Sequence, residues 1–284
     1  MWLQALPFLV LWVGFVLVPV VLLLVWSFWH ETEFWMRPGF TLDAYRDFFS
    51  GVRLQVFLRT VRIAAITVLI ILPFAYAFAF VMQRVLPVWE RTIIFILLTA
   101  PFFTSFEARL FIWRSILGRT GLVNSLLIGS GLISTPIDAL LFNEGAVIFG
   151  LAVGYYPFMI FPILMSLGTI ENHLFEASSD LGGSPWQTFR EVVLPLSFPG
   201  VMAGCIFVFV SILGETVIPQ LLGGGSVTLL GRVIPDTLFG FRYPLAAPMS
   251  TVLIVLSLGT VLLLNRLLRG GRMLSMLSHE RGEI

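Results

Sequence analysis

Long apolar runs that lack charged residues constrain the fold of this chain more than any other feature. A helix needs about 20 predominantly apolar residues to cross the hydrocarbon core of a bilayer, and several runs reach that length. Only 12% of the 284 residues are charged, whereas soluble domains carry about 25% charged residues. The sequence therefore predicts an all-α polytopic membrane protein that is surrounded by lipid.

The apolar runs predict about six transmembrane helices within one domain, residues 1–284. The predicted spans cover residues 5–29, 60–83, 92–113, 145–170, 198–219 and 243–266. The first run has no basic n-region and is longer than the apolar core of a signal peptide, so we interpret it as a retained helix. Glu107 and Arg109 interrupt the third run.

Several chemistries are excluded by residues that the chain lacks. All 17 basic residues are arginine, and a P-loop requires a lysine for the phosphates, so ATP hydrolysis would have to come from another chain. His30, His173 and His279 have no metal-ligand spacing, and the single cysteine, Cys205, allows no disulfide framework. The sequence predicts no catalytic residue, no metal and no cofactor, and the net charge of +1 does not indicate nucleic-acid binding.

A polar segment, residues 171–197, lies between the fourth and fifth predicted spans. Its first part fits a short amphipathic helix, Leu174–Leu181, whose apolar face consists of Leu174, Ala177, Ser178 and Leu181. Gly182–Gly183 is expected to end this helix, because glycine permits a tight turn. Ser184–Pro185 then suits the start of a second short helix that runs to Glu191. We expect Pro195 and Pro199 to mark the return of the chain into the membrane.

The spacing within the 171–197 segment resembles the EAA loop of bacterial ABC importer permeases. The family pattern is Glu-Ala-Ala, three residues, Gly, nine residues, and then Ile-x-Leu-Pro. This chain has Glu176–Ser178, Gly182 and Val192–Pro195 at the same gaps. The departures, Ser178 for alanine and Val192 for isoleucine, are small in volume.

The resemblance implies a type I ABC importer (MetI-like) permease fold in the bacterial inner membrane, with the 171–197 segment on the cytoplasmic side. In that family this segment docks on an ABC ATPase dimer. The expected partners are therefore the ATPase dimer, a second permease subunit and a periplasmic solute-binding protein. The residues expected to couple this chain to the ATPase are Glu176, Ala177, Ser178, Asp180, Gly182, Pro185, Leu194 and Pro195.

Within that superfamily, the chain most resembles the first permease subunit of spermidine/putrescine importers. The segments that carry this resemblance are Thr41–Tyr45, Ala100–Phe102, Gly214–Gly224 and Leu230–Ile234. The family's usual Arg-Asp-Trp-Pro appears here as Arg242–Pro244, without the acidic residue. The resemblance implies import of a polyamine, and importers of opines, amino-acid-like solutes or phosphonates share the general pattern.

Four side chains are candidates for the solute pathway. Ionisable groups at membrane depth are costly and are functional hypotheses by default, which singles out Glu215 and Glu107. A carboxylate could meet a cationic solute, and Phe102 and Tyr155 could stack on one. The alternatives are structural: Glu215 at the interface or paired with Arg232, Glu107 paired with Arg109, and the aromatic rings as packing.

A secondary transporter driven by an ion gradient is the main rival interpretation. It would need paired ionisable groups near the midplane or discontinuous helices in two repeats. The sequence contains no internal repeat and few charges within the spans, so the importer permease remains the favoured prediction.

Overall fold

The computed structural model describes residues 10–32 and 36–280, with side chains described as far as residue 266. The helices are α1 Val10–Trp26, α2 Asp43–Ser50, α3 Val52–Arg84, α4 Val88–Thr99, α5 Phe106–Leu117, α6 Leu122–Gly129, α7 Glu144–Gly168, α8 Asn172–Asp180, α9 Pro185–Leu213, α10 Val217–Gly223, α11 Leu230–Phe239 and α12 Tyr243–Glu280. The short strands β1 His30–Glu31 and β2 Met36–Arg37 pair in antiparallel fashion. Short 3₁₀ turns follow α4 at Ala100–Phe103 and precede α7 at Asp138–Leu140.

Among the described residues, four helices are long and apolar enough to cross a membrane: α3, α7, α9 and α12, the last over Tyr243–Arg266. The described part of the predicted first span is the apolar helix α1, and residues 5–9 of that span lie outside the described residues. The membrane-helix prediction is therefore confirmed in kind, while the bounds of several helices differ from the predicted spans.

The third predicted span, residues 92–113, is not one continuous helix. The chain bends by 96° between Val88–Phe103 and Phe106–Gly129. Pro101 has no backbone N–H for a continuing helix, and Ser105 begins the new helix α5 by accepting a hydrogen bond from the backbone N–H of Ala108 at 3.3 Å. The break therefore has local causes that are visible in the sequence.

The fifth predicted span, residues 198–219, is shifted. Helix α9 already begins at Pro185 and runs through a π-helical turn at Phe189–Val193 to Leu213. Pro195 and Pro199 lie inside this helix, where neighbouring membrane helices accommodate the backbone groups that proline frees. The second span also begins earlier than predicted, at Val52.

Helices α3, α7 and α9 form the buried centre of the bundle. Ile63, Ile71, Leu151, Met159, Ile163 and Ile212 are each at most 2% exposed. Helices α9 and α7 approach closely where a Cβ added at Gly200 would lie 2.4 Å from the Ser166 Cβ and 2.5 Å from the Pro162 carbonyl oxygen. Gly204 faces the Met159 backbone in the same way, so these two glycines form the Gly-x-x-x-Gly contact that lets membrane helices pack closely.

The bundle has two ends that differ in chemistry. The C-termini of α3 and α7 meet the start of α8 at one end, where Arg84 contacts Leu167, Ile170 and Asn172. Glu215 follows α9 at the other end. The Leu194–Leu213 part of α9 separates these ends by about 30 Å at 1.5 Å per residue.

Candidate functional site

The turn after α8 has the geometry that the sequence predicted. Gly182 has a positive φ of 77°, which glycine adopts without steric cost. The backbone N–H of Gly183 donates to the Ser178 carbonyl at 2.8 Å, and that of Gly182 donates to the Ser179 carbonyl at 2.9 Å. This pair of hydrogen bonds is a Schellman motif, so α8 ends sharply at the predicted glycines.

The start of α9 is also as predicted, but its extent is not. Ser184 Oγ accepts from the backbone N–H of Gln187 at 3.3 Å, and Gln187 Oε1 accepts from that of Ser184 at 2.8 Å. This reciprocal pair is a capping box, with Pro185 in the first turn. The prediction of a separate helix ending at Glu191 is wrong, because the helix continues into the membrane-spanning part of α9.

The inward face of α8 differs from the predicted one. Leu174, Phe175 and Ser178 are half-buried, whereas Ala177 is exposed and Leu181 is 89% exposed. Ser178 Oγ lies 2.8 Å from Thr188 Oγ1 of α9. Of the predicted apolar face, Leu174 and Ser178 therefore face inward, whereas Ala177 and Leu181, where the glycine turn begins, are exposed.

Most of the predicted coupling residues lie on one exposed surface. Glu176, Ala177, Asp180, Gly182 and Pro185 are exposed, and Ser178 is half-buried. Leu194 and Pro195 are exposed within α9, away from the α8 turn. Sequence reasoning did not single out Trp186, which is 68% exposed beside this surface and stacks on Phe189 at 5.5 Å between ring centroids.

Sequence reasoning also missed Arg84, which lies at the end of α3. Its Nη2 donates to the carbonyl oxygens of Leu167 at 3.0 Å and Ile170 at 2.6 Å, and its Nη1 donates to Asn172 Oδ1 at 3.1 Å. Its guanidinium lies 4.4 Å from the ring centroid of Phe175. A basic residue in the last turn of a long helix is a recognisable capping signal, but the sequence could not indicate that it caps another helix.

A pocket of about 430 Å³ lies at the opposite end of the bundle. Its lining includes Phe102, Phe106, Arg109, Tyr155, Phe158 and Glu215. Three of the four predicted pathway residues, Glu215, Phe102 and Tyr155, are therefore brought together. Glu107 is not among them: its side chain is exposed and accepts a hydrogen bond from Ser105 Oγ at 2.7 Å.

Glu215 is only 7% exposed. Its Oε2 accepts from the Tyr155 hydroxyl at 2.5 Å, and its Oε1 accepts from the backbone N–H groups of Val217 at 2.8 Å and Ile218 at 3.2 Å. The carboxylate thus caps the start of α10 while it faces the pocket. Among the described residues, no cationic side chain lies within 4 Å of it.

The two ion pairs that were the structural alternatives for the charged residues are not observed among the described residues. Arg232 Nε lies 3.5 Å from Asp236 Oδ2, on its own helix, and not against Glu215. Arg109 donates to the Pro101 carbonyl and to Thr104 Oγ1 at 3.2 Å, and not to Glu107. Both arginines are held by local partners, so the Glu215 carboxylate is left facing the pocket.

Aromatic rings form one wall of this pocket. The Phe102 and Phe158 ring centroids are 5.1 Å apart in an edge-to-face arrangement, and Tyr155 and Phe158 are 6.0 Å apart. These rings pack on one another, as the structural alternative proposed. Phe102 nevertheless remains 43% exposed, so part of its face is available to a solute.

The chain is similar to proteins of a known transport family. A family model described as binding-protein-dependent transport system inner membrane component matches residues 71–270. The spermidine/putrescine transport system permease protein PotB of Haemophilus influenzae is 36% identical over 85% of this chain and 85% of its own length. The protein of the same name from Escherichia coli K12 is 33% identical over 88% of this chain and 90% of its own length.

Two solved structures share the fold. A bacterial ABC transporter involved in the import of the acidic polysaccharide alginate has a TM-score of 0.74 and 19% identity over 94% of both chains. The alginate transporter in complex with its alginate pentasaccharide-bound periplasmic protein has a TM-score of 0.72 and 19% identity, covering 93% of this chain and 92% of that chain. The predicted importer-permease fold is therefore confirmed.

The family model covers most of the chain, and the relatives above 30% identity extend over at least 85% of it. The predicted family, the inner-membrane location and the role of a transport permease are thereby confirmed. This chain belongs to the family of binding-protein-dependent transport system inner membrane components.

Proposed function

We propose that this chain is the permease subunit that carries spermidine, putrescine or a similar polyamine through an ATP-driven importer. A periplasmic binding protein delivers the solute, and a second, different permease subunit completes the path. The names of the relatives, which are spermidine/putrescine permeases at 33–36% identity, support the solute class. The solute is released to the cytoplasm at the α8 end of the bundle.

The observation that carries the solute class is the Glu215 carboxylate in the outer pocket. A buried carboxylate without a cationic partner is unfavourable, and an ammonium group of the solute would offset that cost. The exposed faces of Phe102 and Tyr155 add cation–π attraction for the same group. Polyamines combine ammonium groups with methylene spacers, which suits a pocket that has one carboxylate and aromatic walls.

Arg109 lines the same pocket and weakens the binding of a cation. A pathway site has to bind well enough for entry and weakly enough for release. A carboxylate opposed by a nearby guanidinium satisfies both requirements. We therefore propose that Glu215, Phe102 and Tyr155 form a site of passage, and that Glu107, which is exposed away from the pocket, takes no part.

At the other end, we propose that the surface around α8 docks on the ATPase dimer. The coupling residues are Glu176, Ala177, Ser178, Asp180, Gly182 and Pro185, while Leu194 and Pro195 transmit the movement within α9. The continuity of α9 from Pro185 to Leu213 supports this role. When the ATPase displaces the first turn of α9, the continuous helix transmits this displacement through the bundle to Glu215. The bundle thereby switches between its inward-facing and outward-facing states. ATP hydrolysis belongs to the separate ATPase, since this chain has no P-loop lysine.

A second candidate solute is an amino-acid-like zwitterion. The observation that favours it is the presence of both Arg109 and Glu215 in the pocket lining, because a zwitterion presents a group of each sign. The two candidates differ in their dependence on Arg109: loss of this charge would favour a polyamine and disfavour a zwitterion.

The test is uptake into proteoliposomes that contain the permease pair and the ATPase, with binding protein outside. Labelled spermidine, putrescine and a panel of amino acids are compared in the wild-type complex and in a Glu176→Arg, Gly182→Asp double variant. We expect ATP-dependent polyamine uptake that is lost in the double variant. An Arg109→Gln variant distinguishes the two solute classes. Uptake that needs no ATP, or that survives the double variant, would reject the coupled importer in favour of a secondary transporter.

A further inference from the structure

We infer that Arg84 is the positioning residue that ties α8 to the membrane bundle and so converts ATPase movement into movement of α3 and α7. The inference rests on the proposed docking of α8 on the ATPase. Arg84 itself lies beside the docking surface and is half-buried, so it acts through α8 and the chain that leads to it.

The contacts of Arg84 join three elements through one side chain. Two of its hydrogen bonds go to the Leu167 and Ile170 carbonyls, at 3.0 and 2.6 Å, where α7 ends. A third goes to Asn172 Oδ1, at 3.1 Å, in the first residue of α8. The central guanidinium carbon of Arg84 also lies 4.4 Å from the ring centroid of Phe175, one turn further along α8. The end of α3 is thereby linked to the end of α7 and to the first turn of α8.

The guanidinium group is suited to this task. Its planar fork presents several donors in fixed directions and also stacks on aromatic rings, which an ammonium group cannot do in the same way. Its positive charge also complements the partial negative charge at the C-terminus of α7. One arginine therefore fixes both the position and the orientation of the first turn of α8.

Few other polar contacts hold α8 in place. Among the described residues, the other side-chain hydrogen bond from α8 to a neighbouring helix joins Ser178 Oγ to Thr188 Oγ1 of α9 at 2.8 Å. The Ser178–Thr188 pair thus ties α8 to α9, whereas Arg84 ties α8 to α3 and α7. Without Arg84, α8 could follow the ATPase while α3 and α7 stayed behind.

A purely structural cap on α7 would behave differently from a positioning residue. Loss of a cap would destabilise the complex, and ATP hydrolysis and uptake would fall together. Loss of a positioning residue would leave the ATPase docked and hydrolysing, while uptake falls. The ratio of ATP hydrolysed to solute imported is therefore the decisive measurement.

The experiment uses the complete complex in proteoliposomes with binding protein and labelled spermidine, and compares Arg84→Gln with Arg84→Lys. We expect the ATP-to-solute ratio of Arg84→Gln to rise about tenfold, within the range of roughly 5- to 150-fold that protein coupling energies span. Lysine keeps the charge but not the fork, so Arg84→Lys should give partial rescue. Arg91→Gln is the matched control, because Arg91 lies at the same end and donates to Gln83 and Leu86, away from α8.

A distance measurement tests positioning independently of uptake. Spin labels at Val85→Cys and Ser179→Cys, both exposed positions, in a Cys205→Ser background report the separation of the α3 end from α8. We expect one narrow distance distribution in the otherwise wild-type complex and in Arg84→Lys, and a broad one in Arg84→Gln. If Arg84→Gln does not assemble, Phe175→Leu removes the ring contact, keeps the three hydrogen bonds of Arg84 and an apolar side chain against the core, and should broaden the distribution to a smaller extent.

The outcomes separate this inference from the proposed function. An unchanged ratio and an unchanged distance distribution in Arg84→Gln, with uptake lost in the Glu176→Arg, Gly182→Asp variant, would overturn the inference alone. If the ATP-to-solute ratio rose equally in Arg91→Gln, the rise would come from loss of positive charge at this end of the bundle and not from the contacts of Arg84. That result would also overturn the inference. Full uptake in the Glu176→Arg, Gly182→Asp variant would reject the proposed docking itself.

Discussion

At the α8 end of the bundle the candidate functional side chains face away from the protein, whereas at the opposite end they face into it. Glu176 and Asp180 are exposed, and their side chains make no hydrogen bond or ion pair with another described residue. Leu181 is 89% exposed. Glu215, in contrast, is 7% exposed and accepts three hydrogen bonds.

This contrast separates two reasons why a position requires a particular residue type: the stability of the chain itself and contact with a partner or solute. The identities of Glu176, Asp180 and Leu181 contribute little to the stability of this chain, because exposed groups without partners seldom do. Their spacing is better explained by a partner. Glu215 caps α10 and lines the pocket, and under the proposed function the same carboxylate also meets the solute. Substitutions at the α8 end should therefore change activity without stability, and substitutions inside the bundle should change both.

The largest effect on stability is expected for Gly200→Val, which places side-chain atoms into the α7 backbone. The first added carbon would lie 2.5 Å from the Pro162 carbonyl oxygen, and the helices cannot separate without losing the Gly204 contact as well. Overpacking of a tight core typically costs about 1–3 kcal/mol, and we expect the upper end of that range. Thermal unfolding of the purified complex measures it.

Gly259→Val is the matched control for Gly200→Val. Gly259 also lies in a membrane-spanning helix, but a Cβ added there would meet nothing within 4 Å. Gly259→Val should therefore leave the melting temperature of the complex unchanged. Equal losses for the two variants would mean that valine itself, and not the α7–α9 contact, is responsible.

The close contact between α7 and α9 also shows where sequence reasoning ends. Apolar runs predicted the spanning helices, and Ser184, Pro185 and Gly182 predicted the turn, because these signals are local in the chain. The Gly-x-x-x-Gly pair at Gly200 and Gly204 stands in the sequence but was not predicted as a contact, because nothing near it in the chain identifies its partner helix. Which helix it meets depends on packing between segments that are distant in sequence.

The same limit explains the differences at the candidate sites. Helical periodicity placed Leu181 on the same apolar face as Leu174, but the glycine turn lies outside the periodic pattern and leaves Leu181 exposed. Glu215 was the first acidic candidate and Glu107 the second, because both are acidic residues near membrane depth. The 96° bend before α5 exposes one of them, and the approach of Tyr155 buries the other.

A smaller effect, on partner binding and not on stability, is expected for Leu181→Asp. Apolar side chains that fill a partner's pocket can contribute about 2 kcal/mol or more at an interface hot spot, so we expect the affinity of the permease pair for the ATPase to fall roughly thirtyfold. The melting temperature of the permease should not change. Equilibrium binding of the isolated ATPase to the permease pair in nanodiscs measures the affinity.

Leu174→Asp is the matched comparison on the same helix. Leu174 is half-buried against the core, so the same change there should lower the melting temperature. If Leu181→Asp lowered it by as much as Leu174→Asp, the exposed end of α8 would have a structural role and the contrast between the two ends would be wrong.

Glu215→Gln is expected to reduce polyamine uptake about tenfold, which corresponds to roughly 1.4 kcal/mol. Glutamine keeps the size and an acceptor for the Val217 and Ile218 N–H groups, so the start of α10 should remain ordered. It removes the negative charge that would face an ammonium group. Initial rates of labelled spermidine uptake, measured over a range of binding-protein concentrations, report the loss.

Glu107→Gln controls for a change of charge near the same end of the bundle. Because Glu107 is exposed and outside the pocket, uptake should remain at the wild-type rate. If Glu107→Gln lost as much polyamine uptake as Glu215→Gln, the loss would come from the total negative charge at this end of the bundle. It would then give no support to a specific role of the Glu215 carboxylate in the pathway.

The smallest effect is expected for Ser184→Ala, which removes the capping box at the start of α9. Loss of a serine N-cap typically costs about 1 kcal/mol, and here the cost should be confined to the first turn, because the rest of α9 is held by α3 and α7. Amide exchange at Gln187, whose N–H donates to Ser184 Oγ, should therefore accelerate while exchange in the spanning part does not. Ser179→Ala is the control, since its hydroxyl donates within α8 to Phe175. Faster exchange along the whole of α9 would mean that its first turn supports the membrane helix, and the α8 end could then no longer be treated as energetically separate from the bundle.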